Sequence, residues 1–436
     1  MPSLLVKDAI ILTQDAQRRA FRGDLLARDG RIEALGGDLG RDADEVVDAA
    51  GDVLLPGLVN AHTHAAMTLF RGLGDDLPLE EWLRSRIWPA ERHLTRDEVE
   101  AGTDLALLEM VRTGTTAFND MYFFADATAQ AAARAGLRAR VGATLIDFDT
   151  PELKVDQQEP FARSFHKRWA GHPLVRPTLS PHATYSCSHA TLERVRELRE
   201  ELGTFVHTHC SETRFEVQDV AAKMGARPVE VLRRHDLLRG SVLAHCGWVT
   251  KEEIRHMAEA GAHAAHCPVS NLKLATGGVM PMEEMRAAGV NVALGTDGAA
   301  SNNSLDLLET TKFAALLQKN HRWDARAAPA QAVVDQATLG GARALRLPAD
   351  GLVAGAPADL VLVSTKAPHL RPLHDPVSAL VYGAHGSDVR MTVVAGQVLW
   401  LDGAFRTLDE RSIVARADRA AEALGRVVAD EAAARS

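Results

Sequence analysis

The sequence predicts an α/β protein: a (β/α)8 TIM-type barrel with a small β-sandwich formed by both chain ends. Short apolar runs recur along the 436-residue chain, and each ends in a polar residue capable of chemistry. Helical patterns such as residues 190–202 and 250–260 lie between these runs. Strand–helix alternation predicts a parallel sheet. Reactive residues at the carboxyl ends of many successive strands are typical of a (β/α)8 barrel, which needs roughly 250 residues.

The residues in excess of a barrel lie at the two ends of the chain. Short strand patterns separated by turns fill residues 4–35, and similar ones occur at 358–363 and 391–400. Neither end could bury a core alone, so we expect the two to join into one β-sandwich. Apolar residues at helical spacing predict an amphipathic helix in the tail. The expected divisions are 1–56 (first part of the β-sandwich), 57–355 (barrel), 356–407 (second part) and 408–436 (C-terminal helix).

The barrel strands follow in order along the middle of the chain. The first is the apolar run at residues 53–59, which leads directly into Asn60-Ala61-His62-Thr63-His64. The later strands are expected at residues 115–120, 139–146, 176–182, 204–212, 241–246, 262–267 and 291–298.

His62 and His64 are the first candidate metal ligands. Residues i and i+2 of a strand point to the same face, so both imidazoles converge. Two convergent histidines at a strand end are half of a metal site. His207 and His209 repeat this spacing on the fifth strand and share a face, so alternation alone leaves both open.

Composition excludes several classes of protein. The net charge is −9 with both signs interspersed, and no basic stripe suggests nucleic acid. No run reaches the ~20 apolar residues that a membrane helix needs. The four cysteines are scattered, which indicates a reducing compartment. Since the N-terminus also lacks a signal pattern, we expect a cytoplasmic protein without nucleic-acid or membrane partners, and a homo-oligomer.

The motifs together resemble the amidohydrolase superfamily, and within it the 5'-methylthioadenosine/S-adenosylhomocysteine deaminases. The resemblance runs from about residue 4 to residue 407. The text that carries it is Pro56-Gly57-Leu58-Val59-Asn60-Ala61-His62-Thr63-His64, Glu80-Glu81-Trp82-Leu83, Ile87-Trp88-Pro89-Ala90-Glu91, Ser180-Pro181-His182, His209-Cys210-Ser211-Glu212, Ala244-His245-Cys246, Ser270-Asn271-Leu272-Lys273-Leu274 and Gly295-Thr296-Asp297-Gly298-Ala299-Ala300-Ser301-Asn302-Asn303.

The resemblance implies one metal ion per chain, held by His62, His64, His209 and Asp297. The family pattern places the ligand three residues before Glu212, which favours His209 over His207. Three imidazoles and one carboxylate suit Zn2+, with Fe2+ as the alternative. The family branch with two metals uses a Lys at the end of strand four, and no Lys stands there in this chain.

The same resemblance assigns catalytic roles. A bound metal lowers the pKa of its water to about 7, which prepares that water to attack a ring carbon such as C6 of adenine. Glu212 is the candidate acid that protonates the neighbouring ring nitrogen. Asp297 can also take a proton from the attacking water, and His245 is placed to orient that water.

The substrate side of the site is expected in loops. Residues 67–93 form a long excursion, interpreted as a lid over the barrel mouth. By resemblance Trp82 packs near the base, while Glu91 accepts hydrogen bonds from the ribose hydroxyls. His182 faces the sugar, and Ser301 is a candidate contact of the purine ring.

One departure from the family bears on the 5' substituent. Relatives that handle S-adenosylhomocysteine well carry two Arg after strand three, but no Arg occurs between residues 140 and 163. Asp147 and Asp149 stand there instead, and Lys154 is the one possible substitute. A small neutral 5' group is therefore expected.

The resulting interpretation is a metal-dependent hydrolytic deaminase that converts the purine nucleoside 5'-methylthioadenosine or adenosine to the inosine analogue plus ammonia. One alternative is an aminohydrolase of guanine, cytosine or a triazine. Another is a catalytically inactive barrel with a structural role.

Overall fold

The computed structural model describes residues 2–40 and 42–435, with side chains described as far as residue 428. Its strands are β1 (Leu4–Leu12), β2 (Ala20–Arg28), β3 (Arg31–Gly36), β4 (Glu45–Asp48), β5 (Val53–Pro56), β6 (Leu58–Thr63), β7 (Thr115–Met121), β8 (Arg138–Leu145), β9 (Val175–Pro181), β10 (His207–Cys210), β11 (Val242–His245), β12 (His263–His266), β13 (Asn291–Leu294), β14 (Leu360–Val363), β15 (Val389–Val394), β16 (Gln397–Leu401) and β17 (Ala404–Phe405).

The α-helices alternate with the central strands. They are α1 (Leu79–Trp82), α2 (Trp88–Glu91), α3 (Arg96–Arg112), α4 (Ala125–Ala135), α5 (Val155–Trp169), α6 (His189–Leu202), α7 (Arg214–Met224), α8 (Pro228–Arg234), α9 (Lys251–Glu259), α10 (Pro268–Lys273), α11 (Met282–Ala287), α12 (Ala299–Asn302), α13 (Leu307–Arg322), α14 (Ala330–Asp335), α15 (Gly341–Ala344), α16 (Pro376–Tyr382) and α17 (Glu410–Arg435). Among the described residues, no helix combines the length and apolar character needed to cross a bilayer.

Strands β6 to β13 form the barrel. All their pairings are parallel and follow chain order, in two runs of four, β6–β9 and β10–β13. Isolated parallel bridges between Leu179 and Val206 and between Ala183 and His209 join β9 to β10. The N–H of Asp297 donates to the carbonyl of His62 at 3.0 Å, which joins β13 back to β6. The prediction of a (β/α)8 barrel is therefore confirmed.

The two chain ends form a second sheet. Its order is β17-β16-β15-β14-β5-β1-β2-β3, with β4 beside β1, so N-terminal strands pair with C-terminal ones at β5 and β14. Its buried face has an apolar core of its own, which includes Leu4, Val6, Leu25, Leu54, Leu360, Met391 and Val393. The expectation that both ends build one β unit holds, while the predicted division points remain predictions.

Two predicted strands are divided in the structure. Residues 53–59 are not one strand: β5 belongs to the terminal sheet and β6 to the barrel, with Gly57 between them. A Cβ on Gly57 would lie 2.1 Å from the Thr116 hydroxyl oxygen, so the chain turns close against β7 at a position that only glycine fits. Residues 391–400 likewise form a hairpin of β15 and β16, because Gly396 adopts the left-handed conformation that the turn requires.

The lid and the C-terminal helix pack together over the barrel mouth. The chain after β6 runs through a 3-10 turn (Ala65–Phe70) and then through α1, a π-helical turn (Leu83–Ile87) and α2. The apolar face of α17 joins these segments in one buried cluster. Its members include Trp82, Ile87, Ala90 and Leu94 from the lid side, and Ala417, Leu424 and Val428 from α17. The lid therefore has a packed apolar support on its outer side.

Candidate active site

Four side chains from three barrel strands meet at the carboxyl end of the barrel. His62 and His64 come from the end of β6, His209 from β10, and Asp297 follows β13. Asp297 Oδ1 lies 3.2 Å from His62 Nε2 and 3.3 Å from His64 Nε2. His64 Nε2 lies 3.2 Å from His209 Nε2. The ligand atoms of the three histidines all lie within 4.8 Å of one another, as do those of His62, His245 and Asp297.

The tautomers at this cluster fit a metal ion. His64 Nδ1 donates to the carbonyl of Met121, and His209 Nδ1 donates to the carbonyl of His182 at 2.8 Å. Each ring's hydrogen-bonded nitrogen therefore carries a proton, so both Nε2 atoms point into the cluster, where they can act as metal ligands. Without a metal, a proton on His64 Nε2 satisfies His209 and Asp297; a metal ion would replace that proton, and imidazole with carboxylate is a donor set that zinc accepts.

The protonation tendencies agree with this arrangement. Burial lowers the pKa of His62 to about 4 and that of His209 well below its ordinary range, so both rings are neutral. Burial also acts to lower the pKa of His64, but the adjacent Asp297 outweighs the effect of burial and raises the His64 pKa to about 9. For Asp297 burial acts to raise the pKa, yet the hydrogen bonds of His62 and His64 hold it well below its usual value. The cluster thus attracts a positive charge while its carboxylate stays ionised.

Further polar groups fix the orientation of these side chains. His207 Nε2 lies 2.8 Å from His62 Nδ1, so His207 acts behind His62 and not beside His209. The hydroxyls of Ser270 and Ser301 donate to Asp297 Oδ2 at 2.6 and 2.8 Å. Such partners set ring and carboxylate orientation in metal sites. In this structure the Ser301 hydroxyl, predicted to contact the purine, is engaged with Asp297.

The segment carrying Asp297 is held against β6 by the first sequence motif. The Asn60 side chain donates to the Thr296 hydroxyl at 2.7 Å and accepts from the Thr296 N–H at 3.1 Å. Asp297 has a left-handed backbone with φ of 62°, a strained conformation for a non-glycine residue. A Cβ on Gly295 would lie 3.0 Å from His62 Cβ, so glycine permits this close approach. The two motifs therefore assemble one rigid corner of the site.

Glu212 and His245 lie beside the metal-binding cluster. Glu212 is 8% exposed, and its Oε2 lies 3.8 Å from His245 Nε2. The loop of Glu212 is fixed by the buried carboxylate of Glu216, which accepts the N–H groups of Ser211 and Glu212 at 2.9 and 2.7 Å. Burial raises the pKa of Glu212, so its carboxyl group retains a proton further toward neutral pH than an exposed one.

A cavity of about 630 Å³ opens above these groups, in the range that holds small organic ligands. Its walls include nine of the ten residues predicted for the site, while His62 lies buried beneath them. The nine are His64, Trp82, Glu91, His182, His209, Glu212, His245, Asp297 and Ser301.

Two of the predicted substrate contacts have polar partners. Glu91 accepts a hydrogen bond from the Tyr122 hydroxyl at 2.7 Å. Burial raises the pKa of Glu91 to about 7 against the opposing effect of this bond. His182 Nδ1 lies 2.8 Å from the Ser186 hydroxyl, and burial lowers its pKa to about 3. Both residues therefore present polar groups to the cavity.

The loop after strand three differs from the expectation. Asp149 and Lys154 do not line this cavity but a separate surface pocket. Asp147 does line it, yet its carboxylate already caps α6 by accepting from the Ser188 N–H at 2.7 Å and from the Thr191 hydroxyl. Among the described lining residues, Lys223 is the single Lys or Arg, and its ammonium lies 2.8 Å from Asp219 on the same helix α7.

Sequence reasoning missed several of these groups. Ser270 stands in a quoted motif without an assigned role, and Tyr122 and Glu216 were not singled out. Tyr122 follows β7 by one residue, so its position at a strand end was the available signal. Glu216 lies four residues beyond Glu212, within the first turn of α7.

A metal-binding cluster at the carboxyl end of a (β/α)8 barrel, at the base of a ligand-sized cavity, defines a metal-dependent hydrolase site. The amidohydrolase family model matches residues 53–399. A 5-methylthioadenosine/S-adenosylhomocysteine deaminase of Moorella thermoacetica is 46% identical over 95% of this chain and 98% of its own length. A 5'-deoxyadenosine deaminase of Methanosarcina mazei is 43% identical over 97% and 99% of the two chains.

A solved structure agrees with these relatives. The crystal structure of an adenosine deaminase from Xanthomonas campestris with bound zinc superposes with a TM-score of 0.93 at 38% identity, covering 97% of this chain and 98% of that one. The chain belongs to the amidohydrolase family, and the resemblance inferred from its motifs is confirmed.

Proposed function

We propose that this protein is a metal-dependent hydrolytic deaminase of adenosine-type nucleosides, which converts 5'-methylthioadenosine or adenosine to the inosine analogue plus ammonia. The observation that carries the proposal is the cluster of His62, His64, His209 and Asp297 beside a buried Glu212, at the base of a cavity that also holds Glu91. Relatives more than 40% identical over nearly their whole length are named as deaminases of this substrate class.

The resident metal is zinc, one ion per chain, held by the three imidazoles and Asp297. The close approach of His64 Nε2 to His209 Nε2 and the low pKa of Asp297 support this assignment. Zinc is also the ion named in the Xanthomonas campestris relative, whereas Fe2+ would fit the same donors. When bound, the ion polarises a water molecule and lowers its pKa toward 7.

Two residues move protons in the reaction, and a third orients the water. Asp297 accepts a proton from the attacking water, whose oxygen forms a bond to C6 of the purine. Glu212 gives its proton to ring nitrogen N1, so that negative charge does not accumulate on the ring. His245, whose Nε2 lies 3.8 Å from Glu212, orients the water. The C6–N6 bond then breaks as Asp297 passes its proton to the leaving amine, the C6 hydroxyl gives its proton to Glu212 as the C6=O bond forms, and ammonia departs.

The nucleoside is held by groups of the lid and of β9. Trp82, which is 5% exposed, packs near the base, and Glu91 accepts hydrogen bonds from the ribose 2'- and 3'-hydroxyls. His182 faces the sugar. Ser301 reaches the purine only if its hydroxyl leaves Asp297, so its first role is to orient that carboxylate.

The 5' substituent is expected to be small and neutral. Lys223 is ion-paired with Asp219 and its side chain is largely exposed, so solvent screens its attraction for a carboxylate beyond the 5' carbon. Asp147, which also lines the cavity, adds a like charge. These contacts favour 5'-methylthioadenosine over S-adenosylhomocysteine.

One assay separates this proposal from its rivals: ammonia release measured across adenosine, 5'-methylthioadenosine, guanine, cytosine and a triazine. The proposal predicts release from the two nucleosides and far less from the others, since without a ribose the acceptor positions of Glu91 that Tyr122 does not use are left unfilled. Release from a free base or triazine alone would support a different heterocycle aminohydrolase. No release from any of them by zinc-loaded protein would support an inactive barrel.

A further inference from the structure

Tyr122 is a cavity residue that the proposed reaction does not use. Its hydroxyl donates to Glu91 Oε1 at 2.7 Å, and both residues line the cavity above the metal-binding cluster. The Tyr122 side chain is 6% exposed. A buried tyrosine hydroxyl needs a partner, and here that partner is the carboxylate assigned to the ribose.

The backbone of Tyr122 is fixed from two sides. The preceding carbonyl, that of Met121, accepts from His64 Nδ1. The carbonyl of Tyr122 itself accepts from the Thr144 hydroxyl at 3.0 Å. One short segment at the end of β7 therefore orients a metal-binding histidine through its main chain and Glu91 through its next side chain.

Glu91 is held in the lid through its main chain, where its carbonyl accepts the Leu94 N–H at 3.1 Å, and through its carboxylate, which accepts from the Tyr122 hydroxyl. It ends α2, a four-residue helix that follows a π-helical turn in the lid. The Tyr122 hydroxyl thus connects a lid carboxylate to the rigid rim of the barrel. An ionised carboxylate offers about four lone-pair positions, so one bond to Tyr122 leaves acceptors for two ribose hydroxyls.

We infer that Tyr122 is a positioning residue that sets the selectivity for nucleosides with free 2'- and 3'-hydroxyls, by holding the Glu91 carboxylate in the orientation that receives them. The inference rests on the proposed function and adds a specificity-determining residue to it. Tyr122 contacts no reacting atom, so its loss should change substrate selection more than the chemical step.

The test compares adenosine with 2',3'-dideoxyadenosine in the zinc-loaded wild type and in Tyr122→Phe. The ratio of kcat/KM values, adenosine over the dideoxy analogue, should fall about tenfold in the variant, the scale of one hydrogen bond to a charged group. The fall should lie in KM for adenosine, with kcat within a few fold of wild type. Tyr185→Phe removes a hydroxyl from the same cavity without touching Glu91 and should keep the wild-type ratio.

A double variant makes the test independent of general damage to the fold. In a Glu91→Gln background, adding Tyr122→Phe should change the ratio little if Tyr122 acts through Glu91. An unchanged ratio in Tyr122→Phe, equal losses on both substrates, or the same fall in Tyr185→Phe would overturn the inference while the deaminase proposal stands. A wild-type protein that releases no ammonia from adenosine would overturn both.

Discussion

Replacing Glu212 with Gln removes the group proposed to protonate the purine ring while keeping the size and shape of the side chain. Glu212 is buried beside His245, and its main-chain N–H is held by Glu216. That hydrogen bond uses the backbone, so the substitution leaves the loop in place. The amide cannot donate a carboxyl proton, so the variant isolates proton transfer from binding.

The expected loss follows from the role of the group. A positioned general acid contributes typically ~10²–10⁴-fold to the rate. The raised pKa of Glu212 supports efficient use of its proton near neutral pH, because burial keeps the acid form available. Glu212→Gln should therefore lower kcat about 100-fold or more, a change of about 2.7 kcal/mol in the activation free energy at 1.36 kcal/mol per tenfold.

The assay is ammonia release from 5'-methylthioadenosine, with zinc content measured on the same preparations. Zinc should remain near the wild-type level, since Glu212 is not among the four proposed ligands. Glu152→Gln is a matched control: Glu152 is a loop carboxyl whose pKa burial raises to about 7, but it does not line the cavity. Near-normal kcat in Glu212→Gln, or an equal loss in Glu152→Gln, would refute the assignment.

Three further outcomes are expected. Elemental analysis should find about one zinc per chain, and His64→Ala should lose both metal and activity. Two metals per chain, or a fully active His64→Ala variant, would contradict the proposed metal site. The kcat/KM for 5'-methylthioadenosine should exceed that for S-adenosylhomocysteine by roughly tenfold or more. Asp219→Asn, which frees Lys223, should narrow this gap, whereas Asp149→Asn outside the cavity should not. Burial gives Glu91 a pKa of about 7, so below that pH its carboxyl group is protonated and loses acceptor sites for the ribose. The KM for adenosine should therefore rise as the pH falls through about 7. The same rise in a Glu91→Gln variant would show that another group causes it.

The convergence of the candidate metal ligands could be predicted because strand geometry is local. In β6 the alternation of side chains places His62 and His64 on one face, and the structure brings both to Asp297. The same rule could not separate His207 from His209, since both lie on one face of β10. The separation depends on depth along the strand: His207 contacts His62 Nδ1 from behind, while His209 faces the cavity.

Contacts between distant segments were beyond sequence reasoning. The bond from Tyr122 to Glu91 joins the end of β7 to the lid, and the bond from Ser270 to Asp297 joins two different barrel loops. The residues near the proposed 5' group also come from segments that are distant in the sequence, so they too could not be predicted. Counting charges after strand three suggested Asp149 and Lys154, whereas the cavity is lined by Lys223 on α7. Which loop covers a barrel mouth depends on tertiary packing.

The central claim is hydrolytic removal of the 6-amino group, and the most direct measurement is product analysis in ¹⁸O-labelled water. Zinc-loaded protein incubated with 5'-methylthioadenosine should yield 5'-methylthioinosine carrying one heavy oxygen atom, with one ammonia released per product molecule. Recovery of free adenine, of a product without labelled oxygen, or of unchanged substrate would contradict the account.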